Sequence, residues 1–332
     1  MRGLVIKSTG TSYGVYFPDG TTADCYVKGN FRIRGIRSTN PVAIGDYVEV
    51  TTLEDGTHWI TELYERKNYI VRRSTNLSYA SHILAANVDM AALIVTIRQP
   101  ETSTTFIDRF LATCEAYRVP ACLIFNKIDL LDEEGLQTLS HLRQLYESLD
   151  YPTYAISALN DVAAVHAQLS SLFHNRITLL SGNSGVGKST LLNAILGKDI
   201  ARTGAISSAH HKGMHTTTFS EMYPLHDPTP PNTTHHNPTP PTTTHYNPTQ
   251  DSWIIDTPGI KGFGMLDMER AEMGHYFREI FKISRDCRYS DCVHINEPGC
   301  AVNQAVVEGR IAFSRYESYL SMLDDITENK YR

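Results

Sequence analysis

The chain has 332 residues, 41% of them hydrophobic, and a formal charge of −6 at pH 7. That length predicts two or three domains with packed cores, and the net charge excludes a globally basic polyanion binder, so any such surface must be local. No stretch approaches the roughly 18–20 apolar residues of a membrane span, and residues 1–7 have no signal-peptide core, so a cytoplasmic protein without a membrane partner is the expectation.

Residues 1–70 read as short strands. Val15-Tyr16-Phe17 and Ala23-Asp24-Cys25-Tyr26-Val27 flank a Pro18-Asp19-Gly20 turn, a hairpin signal. Residues 45–50 and 59–64 add further alternating strands. Short strands without a helical period predict a small Greek-key β-barrel of the OB-fold kind. From residue 88 the pattern becomes strand-helix-strand: strands over 88–97, 121–125 and 153–156, and helices over 107–117 and 136–149. This predicts a parallel α/β sheet with ligand loops at the carboxyl ends of its strands.

Gly182-Asn183-Ser184-Gly185-Val186-Gly187-Lys188-Ser189-Thr190 is a complete phosphate-binding loop after an apolar strand, Ile177 to Leu180, and before a helix over 191–196. Its glycines let backbone N–H groups point at phosphates, and the following helix adds its positive end. Lys188 is expected to reach the β- and γ-phosphates, and Ser189 to ligate Mg²⁺. Asn126-Lys127-Ile128-Asp129 follows another strand and fits a guanine-reading motif. The Asp129 carboxylate can accept two hydrogen bonds from guanine, a pair adenine does not offer, so GTP/GDP is the expected nucleotide. Ser157-Ala158 after the next strand fits the second guanine loop. Asp256-Thr257-Pro258-Gly259 follows the strand of Trp253, Ile254 and Ile255. Asp256 is expected to hold Mg²⁺ through water, and the Gly259 N–H to meet the γ-phosphate. One of Thr216, Thr217 and Thr218 is expected to complete the Mg²⁺ shell, Thr217 being the chosen candidate. A water-orienting Gln is replaced by Ile260, which leaves His215 as a candidate for that task. The guanine motif precedes the phosphate loop instead of trailing it, so the GTPase core is circularly permuted.

Residues 226–249 repeat with a period of ten and are rich in Pro, Thr and His. Proline breaks helices and lacks a sheet donor, so this insertion is expected to be a solvated surface excursion. Cys287, Cys292, His294 and Cys300 then supply three thiolates and an imidazole within fourteen residues, the donor set of a closed structural Zn²⁺ site. Cys25, Cys114 and Cys122 are scattered. The stretch 303–326 reads as one helix. The expected architecture is therefore multidomain: an OB-fold barrel over 1–70, a permuted α/β phosphate-loop GTPase domain over 71–265 with the 226–249 insertion, and a mostly helical zinc-binding domain over 266–332.

The permuted order, the barrel and the metal spacing together resemble the ribosome small-subunit-dependent GTPase A family (RsgA/YjeQ). Its carrying residues are 126–129, 182–190, 212–218, 256–259 and the Cys/His set; Met214 stands where the family often has Arg. The resemblance implies a GTP hydrolase acting in late maturation of the small (30S) ribosomal subunit and stimulated by it. The barrel and zinc domain would contact 16S rRNA, and a monomer is expected. Arg32, Arg34, Arg37, Arg66, Lys67, Arg72 and Arg73 are charges able to neutralise phosphates. The rival reading is a signalling-type GTPase working through protein partners.

Overall fold

The computed structural model describes residues 1–9, 11–27, 41–73, 81–197, 221–225, 252–257 and 269–330. Five strands form the N-terminal barrel: β1 (Arg2–Ser8), β2 (Tyr13–Tyr16), β3 (Thr22–Val27), β4 (Tyr47–Thr52) and β5 (His58–Leu63). They run in the order β1-β2-β3-β5-β4, and β1 pairs back onto β4 to close the ring. Alternation does the sorting: Val5, Val15, Cys25, Val48, Val50 and Ile60 point inward and are buried, while their neighbours face out. Two tips share one device. Asp19 and Asp55 each accept hydrogen bonds from the N–H and hydroxyl of the threonine two residues on, around a glycine at φ +82° or +83°.

A hairpin not evident in the sequence, β6 (Tyr69–Arg73) with β7 (Ser81–Ala86), leads out of the barrel. Gly45 sits against it at φ +87°, and a Cβ there would fall 2.1 Å from the Ala86 carbonyl oxygen. The Asn87 amide donates to the Gly45 carbonyl at 2.9 Å, which pins the barrel to the start of the central domain.

The central domain contains β8 (Met90–Val95), α1 (Thr104–Ala116), β9 (Ala121–Phe125), α2 (Glu133–Ser148), β10 (Thr153–Ala155), α3 (Val162–Phe173), β11 (Ile177–Gly182), α4 (Lys188–Leu196), β12 (Glu221–Leu225) and β13 (Ser252–Asp256). Strand order is β10-β9-β8-β11-β13-β12; the first five are parallel and β12 is antiparallel. Apolar side chains cover both faces in two separate clusters, which is why β8 and β9 read as unbroken hydrophobic runs. β12 also meets β1 at Lys7 and Glu221, joining this sheet to the barrel.

Beyond a 3₁₀ segment (Arg270–Tyr276) come α5 (Arg278–Ser284), α6 (Ala301–Val307) and α7 (Phe313–Lys330). The single helix expected over 303–326 is broken. Gly309 adopts φ +73°, and the N–H groups of Arg310 and Ile311 turn back onto the Ala305 carbonyl, capping α6. α7 packs on α1 around Arg315, which is 1% exposed. Its guanidinium meets Asp108 of α1 at 2.6 Å and Glu279 of α5 at 2.6 Å, and lies over the Phe277 ring. Among the described residues no helix is long and apolar enough to cross a membrane.

Candidate functional site

Three strand ends of the central sheet converge. β11 delivers Gly182 and the phosphate loop, β9 delivers Asn126, and β13 delivers Asp256. Glycine is required where this loop is crowded. A Cβ on Gly182 would lie 2.9 Å from Val186 and 3.0 Å from the Ile94 carbonyl; one on Gly187, at φ +91°, would lie 2.4 Å from the Asn126 amide. α4 begins at Lys188 with no side-chain cap, so its first N–H groups remain available to an anion.

Asn126 is buried and holds two loops together. Its amide donates to the Val186 carbonyl at 2.9 Å, and its carbonyl accepts from the Ala158 N–H at 3.0 Å. Lys127 takes a left-handed backbone at φ +62° and sends its ammonium to the carbonyls of Gly185 (2.7 Å) and Gln99 (2.6 Å). Ile128 opens a short 3₁₀ turn that presents Asp129. The Ser157 hydroxyl donates to Asp129 Oδ1 at 2.6 Å and the Asn160 amide to Oδ2 at 2.9 Å. Each oxygen keeps a second lone pair for a base edge. Asn160 and Gln99 are contacts the sequence does not flag, because neither belongs to a recognisable spacing.

On the other side, Lys188 reaches both the Asp256 carboxylate and the Thr257 carbonyl. The Thr257 hydroxyl donates to the Leu180 carbonyl at 2.9 Å and fixes the turn after β13. The structure thus brings together residues 126–129, 157–158, 182–190 and Asp256. His215, Thr217 and Gly259 lie outside the described residues, as do Arg32, Arg34, Arg37 and the 226–249 insertion.

The second cluster lies between α5 and α6. Ligand atoms of Cys287, Cys292, His294 and Cys300 all fall within 4.8 Å of one another. His294 Nδ1 is 3.6 Å from Cys287 Sγ and 3.5 Å from Cys300 Sγ, and those two sulfurs are 4.0 Å apart. A tetrahedron with Zn–S and Zn–N bonds of ordinary length has edges of about 3.8 Å (S···S) and about 3.6 Å (S···N). The donor set therefore fits a closed four-coordinate ion through Nδ1. Burial pushes the Cys292 thiol up to about 12 and the Cys300 thiol upward as well, and it lowers His294 below its usual range. Burial thus favours the neutral imidazole that a ligand must be, and a cation is what would hold the thiolates deprotonated. Glu297, unremarked in the sequence, orders the knuckle by accepting from the N–H groups of Val293, Ile295 and Asn296. Tyr316 and Tyr319 of α7 donate to the carbonyls of His294 and Val293, each at 2.7 Å.

A parallel phosphate-loop domain with its guanine motif ahead of the loop, a barrel before it and a Cys₃His knuckle after it defines a circularly permuted GTPase. Comparison with known proteins narrows this further. Family models match at residues 63–229 (RsgA GTPase), 2–60 (RsgA N-terminal domain) and 177–297 (50S ribosome-binding GTPase). A small ribosomal subunit biogenesis GTPase RsgA from Phocaeicola vulgatus is 53% identical over 332 residues, covering 100% of this chain and 99% of its own. One from Bacteroides fragilis is 54% identical over 334 residues with the same coverage. The crystal structure of YjeQ from Thermotoga maritima superposes with a TM-score of 0.71 at 30% identity, over 98% of each chain. YloQ, a circularly permuted GTPase, gives 0.68 at 25% identity, over 100% of this chain and 96% of its own. The chain belongs to the RsgA family of GTPases, and it is a GTP hydrolase.

Proposed function

We propose that this GTPase binds the small (30S) ribosomal subunit, acts in its late maturation, and hydrolyses GTP to GDP and phosphate faster when bound there. The observation that carries this reading is end-to-end similarity, at half identity or more, to GTPases named for small-subunit biogenesis. The permuted domain supports it from the chemical side. Asp129, oriented by Ser157 and Asn160, would read the guanine edge. Residues 182–190 would cradle the phosphates. Ser189, Asp256 and Thr217 would hold Mg²⁺, which offsets the charge of the β- and γ-phosphates. The Gly259 N–H would sense the γ-phosphate, and His215 would orient the attacking water, since Ile260 cannot. Cys287, Cys292, His294 and Cys300 would hold one structural Zn²⁺. The domains proposed are residues 1–70, 71–265 and 266–332, with the barrel and zinc domain meeting 16S rRNA in a cytoplasmic monomer.

The test is steady-state GTPase activity with and without purified small subunits, at low and high salt. Positioning completed by a partner can raise phosphoryl-transfer rates by roughly 10³–10⁵, so a large, salt-sensitive stimulation is expected. Folded, zinc-loaded protein that shows no stimulation at either salt would overturn this reading and favour protein-partner signalling.

A further inference from the structure

The loop between β8 and α1 touches both halves of the nucleotide site, and no motif in the sequence marks it. Thr96 follows β8 and is fully buried; Thr102, just before the Ser103 cap of α1, is 5% exposed. Three hydrogen bonds close the neck of the loop. The Thr96 N–H donates to the Thr102 hydroxyl oxygen at 3.1 Å, the Thr102 N–H to the Thr96 carbonyl at 2.9 Å, and the Thr96 hydroxyl to the Pro100 carbonyl. This clasp pushes the residues between the two threonines out as a narrow tip. Gln99, at the tip, takes φ +57°, a left-handed backbone that a non-glycine residue keeps only where its surroundings hold it.

The contacts of the tip indicate its task. The Gln99 carbonyl accepts from the Lys127 ammonium at 2.6 Å, and the same ammonium reaches the Gly185 carbonyl of the phosphate loop at 2.7 Å. The Pro100 ring faces Gly185 itself, since a Cβ there would lie 3.4 Å from Pro100 Cδ. Arg98 extends the other way, to Asp132 at 2.6 Å and Glu134 at 2.8 Å, just past the turn that presents Asp129. Those two ion pairs are exposed and stabilise weakly. The clasp is buried, where a donor left without an acceptor is costly. A lysine has a long, flexible stem, and two carbonyls from separate loops restrict where its ammonium can sit. We propose that Thr96 and Thr102 are positioning residues for nucleotide binding. Their clasp sets the Gln99 carbonyl and the Pro100 ring, and through these the spacing between Lys127 and the phosphate loop. Both threonines act through other residues, on how long a nucleotide stays. They do not act on which base is chosen, because Asp129 is held by Ser157 and Asn160 instead.

This rests on the reading of residues 126–129 and 182–190 as the nucleotide site, and a double-mutant cycle separates the two claims. The measurement is release of methylanthraniloyl-GDP from the full-length protein, chased with excess GDP, alongside thermal unfolding. Thr102→Val keeps the shape but leaves the Thr96 N–H without its acceptor, and release is expected to quicken about tenfold, within the range for an orphaned buried donor. Thr102→Ser restores the hydroxyl and should release at the wild-type rate. Lys127→Ala should also quicken release, and Thr102→Val added to it should do less than it does alone, because residues acting through one another are not additive. The preference for GDP over ADP should stay as in wild type for Thr102→Val. Pro100→Gly, at the exposed tip, makes the same test without disturbing the buried neck and should quicken release as well. A Thr102→Val protein that melts earlier but releases GDP at the wild-type rate would overturn the proposal, as would effects of Thr102→Val and Lys127→Ala that simply multiply. Should Thr102→Val not fold, unchanged release from Pro100→Gly overturns it. If Lys127→Ala leaves release unchanged, the site reading fails and the clasp with it. If Lys127→Ala quickens release and Thr102→Val does not, the clasp alone fails.

Discussion

Asp129 is a carboxylate ordered by its neighbours, and on the proposed reading it is ready before a base arrives. It is aimed from both sides by Ser157 and Asn160, so a guanine would not have to order it, and the entropy cost of ordering is already met by the fold. Asp129→Asn keeps the shape but turns one acceptor into a donor. The expected outcome is GTP affinity reduced roughly 10- to 100-fold, the worth of a charge-assisted hydrogen bond, together with weaker discrimination against ATP. Calorimetry with both nucleotides checks this; equal wild-type affinity for ATP and GTP would rule out the role. At this scale the sequence is informative where function needs a fixed spacing. Asn126, Lys127 and Asp129 are readable because their three tasks fall on neighbouring strand-end residues. Gln99 and Asn160 are not, because they reach the site through a backbone carbonyl and a lone amide, which any loop can supply.

Among the elements, the central strands are readable for a plain reason. β9 and β11 are buried on both faces, so β9 is an uninterrupted apolar run and β11 is broken only by the buried Thr178 and Ser181 before its glycine. β7 and α3 leave no such signal: Ser81 to Ala86 mixes polar and small residues, and α3 opens on small apolar residues without a clear stripe. The C-terminal helix is shorter than its sequence suggests because Gly309 sits inside an otherwise helical pattern. Register places the two strand ends that flank the 226–249 insertion. In the β12–β13 ladder, Glu221 faces Asp256 and Leu225 faces Ser252. The insertion therefore leaves from the far end of the ladder, about 14 Å from Asp256 at the usual rise per residue. Replacing residues 227–249 with a short Gly/Ser turn is expected to leave GTP hydrolysis within about twofold of wild type, and a large loss measured in the same assay would mean the excursion reaches the nucleotide.

The metal knuckle is an element of a different kind, a loop between α5 and α6 with no helix or strand of its own. Cys292→Ser should lower bound zinc from one per chain to none by elemental analysis. It should speed proteolysis within 269–330 while leaving GTP affinity within about threefold, because the knuckle contacts α7 and not the phosphate loop. Wild-type protein purified without chelator and found free of zinc would dismiss the assignment.

For the whole molecule, the question is what makes one body of three parts. Arg315 is central to the answer. Its carboxylate partners belong to α1 of the GTPase domain and α5 of the C-terminal region, and Tyr146 of α2 adds a hydrogen bond to Asp108 at 2.9 Å. Burial raises the Asp108 carboxyl, and Arg315 opposes that rise. Arg315→Met would strand two acids in an apolar seam, at a cost of about 3–5 kcal/mol. The expected signature is a thermal transition of the C-terminal helices that separates from and precedes that of the GTPase domain, seen by calorimetry on zinc-loaded protein. A single unshifted transition would show that the seam is held by packing alone. None of this is visible in the sequence, since an Asp, a Glu and an Arg separated by up to 207 positions look like ordinary surface charges.

β12 has one further consequence. As the last strand of the central sheet it would present a bare row of N–H and C=O groups, the template on which sheets stick to one another. The barrel's β1 meets that row at its Glu221 end, opposite Lys7, and Tyr16 closes edge-on over Trp253 at 5.0 Å. The barrel is thus a cover for part of the sheet edge. Cut away, it would leave a GTPase domain prone to pair edge to edge and clump, and during synthesis it is the barrel, made first, that waits to cover the edge as soon as it forms.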